Sequence, residues 1–179
     1  MRPSILIIWT ILLLGLSGCE KVADISSPVI YEKENISFSY PRNWKVTEDV
    51  KQQNFRYLFI ESPGSAIFMV QVYSKNDAVP FDVFVEWFSS TNRDDTPVVL
   101  NIGKSTFSTV EESKFSPDFK GIKENFSMTL LGEQMPYKRE YFTISSNNKV
   151  AFLVAQAATE DLSKVEPGFD LILNSFVIE

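Results

Sequence analysis

The chain has one cysteine, no histidine and 23 carboxylates. That inventory decides most of the chemistry open to it. Without histidine there is no Ser-His or Cys-His couple to activate a nucleophile, and no histidine-ligated zinc. A single thiol makes no disulfide within the chain and no redox dithiol. Gly103-Lys104-Ser105 has the ending of a phosphate-binding loop, but that motif needs glycine five residues before Gly103, and the position holds Val98. The three residues read as a turn opening a strand. Asp94 and Asp95, with Asn92 nearby, offer oxygens to a hard cation. The twelve-residue calcium-loop pattern is missing, so a solvated loop after a helix is expected. Glu111-Glu112 reads as a charged strand end. Paired carboxylates can do acid–base work, and a carboxylate-only enzyme such as a glycosidase needs two of them ~5–9.5 Å apart across a pocket. Adjacency in sequence does not supply that. The expectation is no catalytic residue, no metal and no cofactor.

The one residue whose surroundings point to a definite reaction is Cys19. Arg2 gives the start of the chain a positive charge, and Ile5 to Leu16 carries no charge at all. That run is too short to span ~30 Å of hydrocarbon as a helix, which takes ~20 residues. It suits the apolar region of a signal peptide, ~7–15 residues long. Leu16-Ser17-Gly18-Cys19 follows and resembles the bacterial lipobox. The resemblance implies a diacylglycerol on the Cys19 thiol, cleavage before Cys19 and acylation of the new amine. Two or more chains anchor stably where one does not. The next residue is Glu20 rather than the aspartate that holds many Gram-negative lipoproteins in the inner membrane. In such an organism the expected site is the outer membrane, facing the periplasm.

The rest follows from composition. Residues 19–179 are enough for one domain with a sizeable core. The formal net charge is −6, and cleavage removes the positive Arg2. An acidic domain is a poor partner for nucleic acid, whose phosphates need clustered Lys and Arg. The organisation read here is a signal peptide over 1–18, a lipidated cysteine and polar tether over 19–34, and a folded domain over 35–179.

Hydrophobic period then sets the elements. Ile36 to Tyr40 alternates as a half-buried strand. Pro41-Arg42-Asn43 turns the chain, and Trp44 starts the next strand as a core anchor. Phe55 to Glu61 is another. Ala66 to Tyr73 and Val150 to Ala157 carry apolar residues on both parities, so each needs cover on both faces. Phe81, Phe84, Val85 and Phe88 sit at i, i+3, i+4 and i+7, which makes Pro80 to Ser90 a helix. Lys104 to Val110 is a weak strand. Ile122 to Leu131 sets Phe126, Met128 and Leu130 against Asn125, Ser127 and Thr129. Tyr137 to Ser145 pairs with Val150 to Ala157 across Ser146-Asn147-Asn148. Val165, Phe169, Ile172, Leu173 and Phe176 mark a last helix ending near Asn174. Ser163 and Glu166 would form its capping box, with Pro167-Gly168 blurring its start. The fold class is α+β: an α/β/α sandwich with a mainly antiparallel sheet.

Ile36-Ser37-Phe38-Ser39-Tyr40-Pro41-Arg42-Asn43-Trp44 resembles the opening of the PsbP/Mog1-like domains. Phe169-Asp170-Leu171-Ile172-Leu173-Asn174-Ser175-Phe176 is similar to their closing helix and strand. With the lipobox, the whole resembles the DcrB-type bacterial lipoproteins, in element order from Ile36 to Glu179. The resemblance implies a six- or seven-stranded antiparallel sheet between helices. It implies no single function and carries over no site residues, since fold does not fix function.

The functional expectation is a non-enzymatic envelope lipoprotein, anchored in a membrane and binding an envelope protein. The alternative is a lipoprotein that binds a small ligand or a divalent metal. Trp87, on a helix with a wide apolar arc, is a candidate for the partner surface. So are Tyr137 and Tyr141, on a strand with aromatics on both parities, where one ring is expected to be exposed.

Overall fold

The computed structural model describes residues 20–53, 55–94, 100–110 and 120–179. Cys19 and the lipobox residues Leu16, Ser17 and Gly18 lie outside them, as do Asp95, Glu111 and Glu112. The described side chains also exclude those of Asn92 and Asp94.

The elements run β1 (Val29–Lys33), β2 (Ile36–Tyr40), β3 (Lys45–Gln52), β4 (Phe55–Glu61), β5 (Ile67–Ser74), α1 (Phe81–Asp94), β6 (Leu100–Ile102), β7 (Thr106–Thr109), β8 (Lys120–Leu130), β9 (Glu133–Ser145), β10 (Lys149–Ala158), α2 (Leu162–Ser175) and β11 (Val177–Ile178). The large antiparallel sheet has the order β3-β4-β5-β10-β9-β8-β6, with β7 also on β8. A small sheet, β1-β2-β11, lies apart from it.

Period 2 splits the large sheet into two faces. Leu58, Ile60, Phe68, Val70, Val72, Leu153 and Ala155 point to one, where α2 and the small sheet cover them with Phe169, Ile172, Ile36 and Phe38. Met69, Phe152, Val154 and Tyr141 point to the other, where α1 covers them with Phe84, Val85 and Phe88. Phe84 stacks on Phe152 with ring centroids 4.2 Å apart. Each fully buried ring of this kind contributes ~1.5–3 kcal/mol by leaving water. The two-sided apolar strands are therefore the centre of the sandwich, as their pattern requires.

Two expectations are corrected. The polar tether is part of the fold. β1 pairs along its length with β2, and Glu20 and Ala23 are buried. The Ala23 amide donates to the Lys164 carbonyl at 2.9 Å, and Asn43 bonds to both Asp24 and Val22. The capping box does not form either. α2 starts at Leu162 with Asp161 as its N-cap and no side-chain cap, and Pro167 lies inside the helix. Ser163 is thus already in the first turn, too late to cap it. Pro167 removes one helical hydrogen bond, but Val165, Phe169 and Ile172 are all buried, and that burial holds the helix across it.

Gly168 is where the docked N-terminal segment meets α2. A Cβ there would lie 2.8 Å from Pro41 and Trp44 and 3.0 Å from Ala23. Overpacking of this kind costs ~1–3 kcal/mol. Gly168→Ala is expected to lower the thermal midpoint by several degrees, although alanine is the better helix former; a calorimetric scan against the parent protein measures it.

Candidate functional site

Ionisable side chains collect in two places. The first is inside the sandwich. Glu124 on β8 and Arg139 on β9 point to the same face as Phe126, Tyr137 and Tyr141, and both are buried. Arg139 Nη1 donates to Glu124 Oε2 at 3.0 Å, and its Nε donates to Gln156 at 2.7 Å. Tyr141 also donates to Oε2, while Ser89 of α1 and Ser105 donate to Oε1. The guanidinium carbon lies 4.6 Å from the Phe126 ring centre and 5.2 Å from that of Phe88. Burial pushes the Glu124 carboxyl upward, but Arg139 and the three hydroxyls outweigh it and leave it below the usual range. A carboxylate has about four acceptor sites, and four donors occupy them. The cluster is a polar staple between α1, the Ser105 segment and the sheet.

The second cluster ties the small sheet to the large one. Asp49 of β3 accepts from Arg56 Nε at 3.0 Å and Nη2 at 3.1 Å, from Lys33 at 2.6 Å and from the Tyr31 hydroxyl at 2.9 Å. Burial raises its carboxyl, yet these donors more than reverse that and hold it at about 2. Glu34 pairs with Lys51 at 2.6 Å. Glu34 and Asn35 both have positive φ, +50° and +65°, as a two-residue hairpin turn between β1 and β2 demands. An open cleft of about 580 Å³ lies beside them, lined among others by Glu34, Lys51, Arg56, Tyr73 and Lys149. Its acid and most of its cations are already committed to one another. No three His, Cys, Asp or Glu among the described residues group as a metal would need.

The aromatic candidates separate. Tyr141 has no exposed surface and Phe142 on the opposite parity is buried too. The expectation that one ring of this strand is exposed fails because α1 covers one face and the α2 side the other. Tyr137 is buried as well, stacked on Phe126 at 5.7 Å. Trp87 is 51% exposed and Val83, one turn earlier on the same side of α1, is 45% exposed. On the same face of the sheet, half-buried Phe55, Tyr57 and Phe59 form a ladder along β4, with ring centres 6.4 and 6.1 Å apart. The outer face of α1 and the β4 ladder are thus the apolar surface that this side presents. Sequence reading did not single out the ladder. Its signal was aromatics at every second position of β4, near an edge strand.

Removing one partner of a buried ion pair strands the other charge and costs ~3–5 kcal/mol, whereas replacing both with apolar groups is often neutral. Arg139→Met is therefore expected to destabilise strongly in urea, and Glu124→Leu with Arg139→Met together to recover most of the loss. The Asp49 cluster is expected to show in acid. A carboxyl held below its ordinary 3.8 stabilises the fold above that value and loses its contribution as pH falls towards about 2. Asp49→Asn should flatten the pH dependence of the melting temperature across that window.

No sequence-family model matches the chain, and no curated relative does. Solved structures do match. The solution structure of PsbP from Synechocystis sp. PCC 6803 aligns over 92% of this chain and 99% of its own, at 15% identity and a TM-score of 0.56. LpqN of Mycobacterium tuberculosis, described as involved in cell envelope biogenesis, aligns over 85% and 89%, at 15% identity and a TM-score of 0.40. A Pseudomonas aeruginosa protein of unknown function aligns over 79% and 90%, at 12% identity and a TM-score of 0.37. The two helices and the antiparallel sheet of this chain have the α+β fold of PsbP.

Proposed function

We propose that this protein is a lipid-anchored, non-enzymatic module of the cell envelope that binds a protein partner through the outer face of α1. The observation that carries the partner is the exposed pair Val83 and Trp87, set on the face that also holds the Phe55–Tyr57–Phe59 ladder. Large apolar side chains left exposed on a helix face are what interaction sites use, and Trp is among the residues on which such sites concentrate their energy. The sequence supports the anchor: a charged start, an apolar run and Leu16-Ser17-Gly18-Cys19. Glu20 favours the outer membrane, facing the periplasm, where the cell has one. The lack of histidine and the saturation of Glu124 and Asp49 by their own donors support a role without catalysis. The pairing of Glu34 with Lys51 and Arg56 weighs against a small-ligand or metal-binding role for the cleft.

The test is photo-crosslinking in cells. A photoreactive amino acid at Val83 or Trp87 is expected to trap one dominant protein, and one at Asn174, exposed on α2 across the sheet from α1, is not. Trp87→Ala should weaken capture from position 83, with circular dichroism checking that the domain stays folded, because the ring also packs on Phe84 and Phe88. Cys19→Ala should abolish acyl labelling and capture together. Equal capture from all three positions would remove the α1 surface from the proposal.

A further inference from the structure

The lipid would leave no slack. The residue immediately after Cys19 is built into the domain. Glu20 is buried, and its Oε2 accepts from the Ser62 hydroxyl at 2.7 Å, the Ser65 amide at 3.0 Å and the Ala66 amide at 3.2 Å. These donors form the turn between β4 and β5. A Cβ on Gly64 would lie 2.9 Å from the Glu20 Cα, so the turn is shaped to the residue. Three residues on, Ala23 is buried against Gly168 and hydrogen-bonded to α2. Consecutive Cα atoms are ~3.8 Å apart, which puts Cys19 within one residue of a fixed point on the fold.

The two ends of the sheet differ in the way this implies. At the Glu20 end, Val22 is 67% and Ile25 47% exposed. The register aligns Ile67 of β5 with Gln156, Arg139 and Glu124 on the successive strands. β8 and β9 run six residues beyond that row, towards the same end, to a hairpin tip at Leu131-Gly132. At ~3.3 Å per residue that is roughly 20 Å of projection before sheet twist, so Glu20 and Leu131 meet one plane when the strands lean over rather than stand upright. The tip residue Leu131 is 85% exposed and holds a positive φ of +52°, a conformation strained for leucine. The hairpin turns of the opposite end carry Gln52, Gln53, Asn147 and Asn148, and Val79, 47% exposed, lies beyond the end of β5 there. At the Glu20 end the exposed cations Lys21, Arg42 and Lys45 are interspersed with the exposed Glu133 and Glu160, so attraction to anionic lipid does not by itself set the orientation.

We infer that the domain is clamped directly on the bilayer without a tether, with Glu20 as the clamp and Val22, Ile25 and Leu131 facing the lipid. The inference rests on acylation of Cys19, as proposed above, and its test separates the two. The full lipidated protein is reconstituted into phosphatidylethanolamine–phosphatidylglycerol vesicles with one added cysteine, at Ser65→Cys, Leu131→Cys or Asn147→Cys, carrying a nitroxide. The acylated Cys19 sulfur does not compete for the label. Collision of the nitroxide with oxygen and with a water-soluble nickel chelate then reports depth. Positions 65 and 131 are expected to meet the chelate several-fold less often than position 147, at low and at high salt alike. A ten-residue Gly/Ser insert between Cys19 and Glu20 leaves every folded residue in place and gives the domain ~17 Å of reach. It is expected to erase the contrast. Glu20→Ala should do so in part. Mass spectrometry of the N-terminal peptide is run on each sample. An unacylated peptide overturns the anchor itself. An acylated protein with equal accessibility at all three positions, or with a contrast that survives the insert, overturns the clamp.

Discussion

β5 and β10 lie side by side with apolar residues on both faces, and the fold is arranged to keep water from both. One layer cannot do this. α1 closes one face with Phe84, Val85 and Phe88. The other face is wider than one helix, so α2 shares it with the small β1-β2-β11 sheet. This explains why the N-terminal and C-terminal segments both end there. β2 is the middle strand of the small sheet and needs β1 and β11 beside it to satisfy its backbone. The segment from Glu20 to Lys33 is therefore cover for the core rather than a spacer.

A sheet covered on both sides has few places for charge, and the charges it keeps mark seams. Glu124 and Arg139 sit where α1 and the Ser105 segment meet β8 and β9. Asp49 and Arg56 sit where β1 meets the β3–β4 hairpin. In each case a carboxylate is saturated by donors from separate elements. Apolar packing is tolerant of small shifts, whereas a guanidinium bonded through two nitrogens, Arg56 bidentate to Asp49 and Arg139 shared between Glu124 and Gln156, is satisfied in one arrangement. The two clusters fix how the layers align, and the α1 surface inherits its position from the first of them through Ser89.

Much of this was legible in the sequence. Two-sided apolar patterns in Ala66–Tyr73 and Val150–Ala157 gave the centre of the sandwich, and the spacing of Phe81, Phe84, Val85 and Phe88 gave α1. Trp44 is buried against Phe169, as a strand-start anchor should be. β1 was missed because periodicity reads burial, and β1 is mostly exposed. Backbone pairing and the bonds of Tyr31 and Lys33 to Asp49 hold it, and neither leaves an apolar pattern. The Glu20 socket is a polar contact across more than forty positions and leaves no local trace. The inner ion pair did leave one. Glu124 shares its parity with Phe126 and Met128, and Arg139 with Tyr137 and Tyr141. Opposite charges at apolar positions on adjacent strands announce a buried pair.

Anchor and surface constrain each other. With the Glu20 end of the sheet on the lipid, as inferred above, the strands would rise obliquely from the membrane and α1 would lie on a lateral face of the domain. A domain on a long tether samples many orientations, and a partner then selects one at an entropic cost. A clamped domain has settled that cost through its own folding. Its exposed Val83 and Trp87 would be presented at a fixed height, and only to partners that are themselves close to the membrane. The same clamp limits reach, because such a surface cannot search the space away from the bilayer. Such a clamp would favour a partner embedded in or seated on the same membrane over a soluble one.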